Sequence, residues 1–397
     1  MSIDRLLFCT FAYPTPRTPD LMRQHRVLAH ALRDRGVEVT VVKPLTLGRG
    51  GGVPIRAVQD GVECVCPRLP FPFTSFVKFR LQPQRPGPVA NWFALAGGRA
   101  LRREIDRVRP DAILAHPALP WGLAMPTILK GRRVPFAVLD QAAPAVMGIE
   151  PGSALQDAYR RVGASAERLF CVGPQMVERL SSLGIDNAAF LPNAIRLPDP
   201  ELLRRPRPAD LEGKFIVLSL AYYYRRKGFE ELVEAFTTAA QGHPDAVLVL
   251  GTQPPPALAE RLAPLEREGR ARVLGRVPFD EVLPWMAWAD VFAMPSWDEG
   301  YGNVYGEALA CGTPVILCDD AGFAPLIERF DASAESPGTG WVVRPKSVPD
   351  LVDALDQGLC HRDMLSAMGA AGQELVRSRL TAASQATTVI DAFQTAR

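Results

Sequence analysis

The chain lacks the features that mark several large classes of protein. Its seven cysteines are an odd number and include no C-x-x-C pair, so neither a disulfide framework nor a zinc site is predicted. No run approaches the ~18 uninterrupted apolar residues of a membrane-spanning helix, and the first residues do not form a basic leader with a small-residue cleavage site. Sequence repeats and low-complexity segments are also missing. These absences predict a cytoplasmic globular protein.

The residues that are present suffice for two hydrophobic cores. The chain has 397 residues, of which 47% are hydrophobic and 22% are charged, which is more than one core usually organises. Apolar β-type runs alternate with helix-like segments on both sides of a proline-rich stretch. We predict a Rossmann-like domain over residues 1–197, a linker over 198–210 and a second Rossmann-like domain over 211–375. A helix over 376–397 is expected to pack back on the first domain.

The same patterns predict single elements. They include helices over 91–108 and 229–239, a strand over 215–220 and a tail that is helical throughout residues 361–397.

The net charge of +2 conceals an uneven distribution. Residues 1–200 hold 26 basic and 16 acidic residues, a balance of +10, whereas residues 201–397 hold 19 and 27, a balance of −8. This asymmetry predicts an anionic partner or surface for the first half. Between residues 68 and 92, aromatic side chains including Phe76 and Phe79 alternate with basic ones amid prolines. The segment is either a loop with aromatics tucked into the core or a surface that touches lipid or acceptor.

The segment at residues 290–318 combines a buried strand, a glycine-containing loop and the start of a helix. Its sequence is DVFAMPSWDEGYGNVYGEALACGTPVILC, and the helix is predicted to begin near Asn303. Glycines let the backbone approach a ligand closely, and a helix N-terminus favours an anion such as a phosphate. Glu299 and Glu307 flank the loop and can accept hydrogen bonds from vicinal hydroxyls. The segment therefore predicts a site for a nucleotide sugar.

This segment resembles the E-x7-E region of the retaining glycosyltransferases of family 4, whose pattern is roughly PS-x-x-EGFG-x-x-x-x-EA-x-A-x-G-x-PV. That family has the GT-B fold, in which two Rossmann-like domains face each other across a cleft. The resemblance implies that Glu299 contacts the donor sugar and that Glu307 contacts the ribose hydroxyls. It also implies contacts along the sugar and the pyrophosphate from Gly300, Tyr301, Gly302 and Asn303.

A basic segment, Arg225-Arg226-Lys227-Gly228, lies between a predicted strand and the next helix. In such a transfer the leaving group is a nucleoside diphosphate, whose growing negative charge must be met by cations or by a metal. The segment resembles the family's G-R-L-x-x-x-KG pattern and places Lys227 at its lysine. Tyr222 stands where the family has an arginine, so Arg225 or Arg226 is expected to take that role.

Other matches and departures concern single residues. Arg276 and Val277 belong to a turn that resembles the family's turn beside the nucleobase. The family's glycine pair after the first strand is replaced by Y-P-T-P-R-T-P, where Arg17 is expected to contact phosphate instead. Asp140 stands at a family histidine and is a candidate for contacting a sugar hydroxyl. His116 resembles the family's other cleft histidine, and a structural role for it stays open.

Together these features predict a retaining glycosyltransferase that moves a hexosyl group from a UDP- or GDP-sugar to a glycan, lipid-linked or small-molecule acceptor. No cofactor is expected and, because no DxD-type pair stands out, no metal. No nucleic-acid partner is expected, whereas peripheral contact with the inner face of an anionic membrane is. Two alternatives stay open: a sugar-nucleotide epimerase on the same fold, and a non-catalytic subunit that binds nucleotide sugars.

Overall fold

The structure, a computed structural model, describes residues 3–14, 22–47, 55–72 and 86–394. The chain divides into two compact units. Unit 1 comprises Met1–Ala194 and Ala382–Arg397, and unit 2 comprises Ile195–Thr381. Each unit is built around a mostly parallel β-sheet with helices packed against it.

Among the described residues, the sheet of unit 1 has eight strands in the order β10-β9-β8-β7-β1-β2-β5-β4, and only β4 runs antiparallel to its neighbour. A separate two-stranded sheet pairs β3 with β6. Strand order reverses at β1, which lies between β2 and β7. The strands are β1 (Arg5–Thr10), β2 (Glu38–Val42), β3 (Leu45–Leu47), β4 (Arg56–Gln59), β5 (Val62–Val65), β6 (Arg68–Pro72), β7 (Ala112–His116), β8 (Phe136–Asp140), β9 (Leu169–Cys171) and β10 (Ala188–Phe190).

The sheet of unit 2 has six parallel strands in the order β13-β12-β11-β14-β15-β16. Strand order reverses between β11 and β14, and in doubly wound folds ligands bind outside the carboxyl ends of the strands at such a point. The strands are β11 (Phe215–Leu220), β12 (Ala246–Gly251), β13 (Ala271–Val273), β14 (Val291–Ala293), β15 (Val315–Cys318) and β16 (Gly340–Val343).

Helices connect the strands in both units, and the last one belongs to unit 1. In unit 1 they are α1 (Arg23–Asp34), α2 (Pro86–Ala96), α3 (Gly98–Val108), α4 (Leu123–Ile128), α5 (Ala143–Met147), α6 (Ala154–Ser165) and α7 (Pro174–Ser182). Those of unit 2 are α8 (Pro200–Leu203), α9 (Phe229–Ala239), α10 (Pro256–Arg267), α11 (Val282–Trp288), α12 (Asn303–Ala310), α13 (Val348–Cys360) and α14 (Leu365–Arg379). The chain ends with α15 (Ala382–Gln394).

The core of unit 2 forms because its central strand is apolar along its whole length. All six residues of β11, FIVLSL, are buried, as expected for a parallel strand covered on both faces. Helices α9 and α13 cover this strand, and the same cluster contains Phe229, Phe236, Trp341 and Leu355. A rigid sheet of this kind fixes the loops that follow its strands.

Helix α15 returns to unit 1 and packs against α1. Ala386, Val389 and Phe393 on this helix are buried. Gln385 Nε2 also donates a hydrogen bond to the carbonyl oxygen of Pro192 at 2.8 Å. The last helix is therefore part of the unit 1 core.

The structure differs from the sequence predictions in four places. The helix predicted over 91–108 is divided into α2 and α3, because glycines at 97 and 98 weaken a continuous helix. The tail predicted as helical throughout is likewise broken, between α14 and α15. The unit boundary follows Ala194 rather than 197, and the predicted linker contains α8. Strands β3 to β6 were not predicted, since runs of three to five partly polar residues give little signal.

Within the described ranges, none of the helices has both the length and the apolar character needed to cross a membrane.

Candidate active site in unit 2

The reversal of strand order in unit 2 brings two loops together at the carboxyl edge of the sheet. The first follows β11 and holds a 3-10 turn at Arg225–Lys227, and the second follows β14 and leads into α12. Because β11 and β14 are parallel neighbours, both loops leave the same edge. The two segments singled out in the sequence thus meet, although 72 residues separate Lys227 from Glu299.

The side chains of Lys227 and Glu299 form the centre of this site. Lys227 Nζ lies 2.5 Å from Glu299 Oε2, and their side chains are 13% and 17% exposed. Ser296 Oγ donates to the same carboxylate oxygen at 3.2 Å. The guanidinium of Arg226 lies 3.8 Å from it. One carboxylate and two cations are therefore available within a small, partly buried volume.

Backbone contacts hold the two loops against each other. The N–H of Trp297 donates to the carbonyl oxygen of Arg226 at 2.8 Å. Gly228 has φ +72°, and a Cβ atom there would lie 2.3 Å from the carbonyl oxygen of Pro295. Only glycine permits both this conformation and this approach. Lys227 and Glu299 are thus positioned by the backbone as well as by their own hydrogen bond.

The two neighbouring arginines make different contacts. Arg225 donates two hydrogen bonds to Glu231, at 2.8 and 2.5 Å, and its guanidinium lies 4.8 Å from the ring centre of Trp297. Arg226 instead donates to the backbone oxygen of Asp298 at 3.2 Å and faces Glu299. Of the pair that the sequence left open, Arg226 is the one placed beside the carboxylate.

The glycine loop ends where α12 begins. Gly302 precedes the helix with φ +87°, and a Cβ atom there would lie 2.4 Å from the ring of Tyr305. The hydroxyl of Tyr305 donates to the carbonyl oxygen of Met294 at 2.8 Å, which ties the helix to the end of β14. Tyr301 is buried against Phe323, with ring centres 5.2 Å apart. The helix N-terminus therefore has a fixed position next to Lys227 and Glu299.

Glu307 lies on α12, beyond the predicted phosphate-binding loop. Burial raises the pKa of its carboxyl group, and the nearby charge of Arg196 opposes that rise. Arg196 packs its guanidinium over the ring of Phe279, 4.2 Å from the ring centre. Its Nε and Nη2 atoms are buried and have no hydrogen-bond partner in the described part of the chain.

Three residues predicted to contact the donor lie in loops at the same carboxyl edge of the unit 2 sheet. They are Tyr222, Arg276 and Val277. Tyr222, which follows β11, is 66% exposed, and the guanidinium of Arg276 lies 5.7 Å from its ring centre. Val277 packs near Gly251 at the end of β12. Tyr222 and Arg276 thus meet as a pair, although the sequence placed them in separate motifs.

In unit 1, His116 lies at the equivalent reversal of strand order, between β1 and β7. Its Nδ1 atom is 3.2 Å from Thr10 Oγ1, and its ring centre is 4.3 Å from that of His25. Burial lowers the pKa of His25 to about 4 and that of His116 well below its usual value. His116 is only 7% exposed, which favours the structural alternative for this residue.

Asp140 at the end of β8 is fully buried. One carboxylate oxygen accepts a hydrogen bond from the Tyr159 hydroxyl at 2.6 Å and the other accepts one from the N–H of Ala142 at 3.0 Å. This placement does not favour the predicted contact with a sugar hydroxyl. Asp140 instead fixes the turn after β8, because both of its oxygens are engaged inside unit 1.

Three predicted residues, Arg17, Phe76 and Phe79, lie outside the described residues. Their expected roles at phosphate, lipid or acceptor therefore stay predictions.

Two family models together match most of the chain. The model described as "Glycosyl transferases group 1" matches residues 214–361, and the "Glycosyl transferase 4-like domain" model matches residues 23–194. A GDP-mannose-dependent alpha-(1-6)-phosphatidylinositol monomannoside mannosyltransferase from Mycobacterium tuberculosis is 30% identical, over 65% of this chain and 71% of that protein. The chain belongs to the group 1 glycosyltransferases.

A further relative agrees with this membership, and two solved structures show the same fold. The putative teichuronic acid biosynthesis glycosyltransferase TuaC of Bacillus subtilis is 24% identical over 88% of each chain. Sucrose-phosphate synthase from Thermosynechococcus elongatus superposes with a TM-score of 0.67 at 18% identity, over 98% of both chains. HepE of Anabaena, solved with UDP and glucose, gives 0.64 at 15% identity over 99% of this chain and all of that one. The glycosyltransferase therefore has the GT-B fold.

Sequence reasoning missed two polar residues that lie beside Glu299 and Glu307 in the candidate site. Ser296 belongs to the PS-x-x-E pattern, and that pattern was a signal that could have identified it. Arg196 follows the turn at Asn193, and nothing in the sequence predicts that it lies beside Glu307. The described residues hold one group with metal-ligand spacing, His243, Asp356 and Cys360. It lies at the amino end of the sheet, before β12 and at the end of α13, opposite the edge that carries Lys227 and Glu299.

Proposed function

We propose that this glycosyltransferase is a retaining hexosyltransferase that uses a GDP- or UDP-hexose as donor. The observation that carries the proposal is the meeting of Lys227 and Glu299 beside the N-terminus of α12 at the reversal of strand order. Relatives support the donor class, because two are named GDP-mannose-dependent mannosyltransferases at 26% and 30% identity. A nucleoside diphosphate needs the same elements: cations and free N–H groups for phosphates, and carboxylates for hydroxyls.

Each residue has a distinct role in the proposed reaction. Lys227 and the first N–H groups of α12 bind the diphosphate, whose charge grows as it leaves. Glu299 accepts hydrogen bonds from the hexosyl hydroxyls, and Arg226 adds a second positive charge near the phosphates. Glu307 accepts from the ribose hydroxyls. The two cations are thus placed to stabilise the transition state more than the ground state.

The anomeric configuration is retained if the leaving group itself accepts the proton of the acceptor hydroxyl. The bond from the anomeric carbon to the β-phosphate oxygen breaks, and the acceptor oxygen bonds to the same face of that carbon. The acceptor proton passes to the departing phosphate oxygen, so no enzyme carboxylate is needed as a nucleophile. The protein supplies electrostatic stabilisation of the oxocarbenium-like sugar and the diphosphate.

The proposal is tested by incubating the protein with GDP-mannose, UDP-glucose and a panel of glycan and lipid-linked acceptors. Release of nucleoside diphosphate and the anomeric configuration of the product, determined by NMR, are the measurements. An axial linkage from an axial donor supports retention. An inverted product, or an epimerised donor formed without acceptor, contradicts the proposal.

For the acceptor, we propose a glycan or lipid-linked molecule at an anionic membrane surface. The +10 balance of residues 1–200 supports it, as does the phosphatidylinositol mannoside acceptor named for the mycobacterial relative. Association with acidic-lipid vesicles should weaken with salt, because the Debye length contracts from ~10 Å at 0.1 M to ~3 Å at 1 M. If the protein sediments without the vesicles at every salt concentration and uses a small soluble acceptor efficiently, an acceptor at the membrane surface is excluded.

A further inference from the structure

Arg196 has a fixed place beside α12. The N–H of Ile195 donates to the carbonyl oxygen of Leu380 at 2.8 Å. The Ile195 side chain fills the space beside Gly306, where a Cβ atom would lie 2.6 Å from it. Gly306 is the residue before Glu307. The backbone of Arg196 is therefore anchored on the helix that carries the expected ribose ligand.

The side chain of Arg196 has polar atoms that lack partners. Its Nε and Nη2 atoms are buried without an acceptor in the described part of the chain. Arg196 and Glu307, both described, form no direct ion pair, although the arginine charge is close enough to oppose the rise in the pKa of the carboxyl. Buried N–H groups without acceptors cost free energy, which a bound acceptor recovers.

The position of Arg196 along α12 suggests which part of a donor it meets. The helix N-terminus and Lys227 lie at the phosphate end, and Glu307 lies one turn further along the helix. The charge of Arg196 acts on Cys311, one turn past Glu307, as well as on Glu307 itself. Its guanidinium stacks on Phe279, which follows β13 and is 50% exposed. On a nucleoside diphosphate the group beyond the ribose is the base. The arginine is thus on the base side of the proposed site.

Nε and Nη2 form one edge of the guanidinium and point their N–H bonds in parallel. This edge matches two adjacent acceptors, and the O6 and N7 atoms of guanine are such a pair. Adenine offers N7 beside an amino donor, and uracil offers O4 beside an N–H donor, so neither satisfies both N–H groups. We propose that Arg196 recognises the O6/N7 edge of guanine and makes the glycosyltransferase selective for GDP-sugars.

This inference rests on the proposed function and is tested with nucleotides alone. Calorimetry measures the binding of GDP, IDP, 7-deaza-GDP, ADP and UDP to the full-length protein. IDP keeps O6 and N7, whereas 7-deaza-GDP lacks N7. We expect GDP and IDP to bind about 5- to 150-fold more tightly than the other three. Arg196→Lys, which keeps the charge but loses the paired N–H groups, should remove most of that difference.

Controls separate a failure of this inference from a failure of the proposed function. Arg272→Gln removes another guanidinium that stacks on an aromatic ring of unit 2, Trp285, and should leave the preference intact. Glu307→Gln should weaken all ribonucleotides alike. If wild-type protein binds nucleotides with no guanine preference, or Arg196→Lys weakens all five equally, the inference is wrong. If no nucleoside diphosphate binds, the proposed function fails and this inference fails with it.

Discussion

At the scale of single residues, Lys227 contacts Glu299 and is the residue that we propose binds the diphosphate. Its ammonium lies 2.5 Å from the Glu299 carboxylate, so it is held at the place where leaving-group charge would develop. We expect Lys227→Ala to lower kcat about 100-fold or more and donor affinity by less, because this interaction strengthens toward the transition state. Steady-state kinetics with saturating acceptor provide the measurement. Lys130→Ala, an exposed lysine of unit 1, is the control, and wild-type turnover by Lys227→Ala would assign the role to another cation.

The contacts of Arg225 and Arg226 predict opposite results for the same substitution. Arg225→Gln removes two hydrogen bonds to Glu231, which is 8% exposed. It should lower the free energy of unfolding by about 1–2 kcal/mol while activity persists. Arg226→Gln should lower transfer and leave Tm unchanged, since Arg226 is 46% exposed and faces Glu299. Thermal unfolding and initial rates measured on both variants test this, and an exchange of the two outcomes would contradict it.

His25 predicts a dependence of unit 1 stability on pH. Burial lowers its folded-state pKa from 6.5 to about 4, so between these values the unfolded chain binds more protons than the folded one. The contribution of His25 to the free energy of unfolding is therefore fully present above pH 6.5. It is lost as the pH falls toward 4, by up to about 1.4 kcal/mol per pH unit. His25→Gln should flatten this slope. Denaturant unfolding at pH 7, 6 and 5 measures it, and an equal slope in the variant would assign acid sensitivity to other groups.

At the scale of elements, the start of α12 depends on Gly302. An alanine there must adopt φ +87° and place its Cβ atom 2.4 Å from the Tyr305 ring. We expect Gly302→Ala to cost at least about 1–2 kcal/mol of stability and to weaken nucleotide binding, because the helix N-terminus must shift. Gly242→Ala is a matched control in the same unit, since nothing lies within 4 Å of its added Cβ. Calorimetric binding of nucleotide to both variants distinguishes this effect, and equal affinities would refute it.

At the scale of the whole molecule, the last helix belongs to the core of unit 1. Phe393 on α15 is 4% exposed, so Phe393→Ala should destabilise unit 1 by about 3 kcal/mol. Hydrogen exchange should then accelerate across α1 and the unit 1 strands and stay unchanged in unit 2. Thr388→Ala, at an exposed position of the same helix, is the control. Faster exchange confined to unit 2 would contradict the assignment of α15.

Local patterns in the sequence suffice to predict the class of fold, which the structure confirms, and they also predict residues of the candidate donor site. Continuous apolar runs such as FIVLSL specify buried parallel strands, and the strand at Phe215–Leu220 and the helix at Phe229–Ala239 were predicted with the bounds observed. Glu299 and Glu307 were predicted because they flank a glycine loop between a strand end and a helix start, and Lys227 because its segment resembles the family's G-R-L-x-x-x-KG pattern. Such patterns involve residues that are close together in the sequence, so they can be recognised without knowledge of the fold.

The contacts between residues far apart in the sequence could not be predicted from local patterns. The pairing of β11 with β14 brings Lys227 and Arg226 to Glu299. The side chain of Arg225 instead turns toward α9, where it donates hydrogen bonds to Glu231. Packing within unit 1 buries Asp140 against Tyr159, and packing within unit 2 places Arg196 beside Glu307. The physical reason is that sheet order and side-chain direction are set by long-range packing. A carboxylate therefore looks the same in the sequence whether it will face a ligand or close a turn.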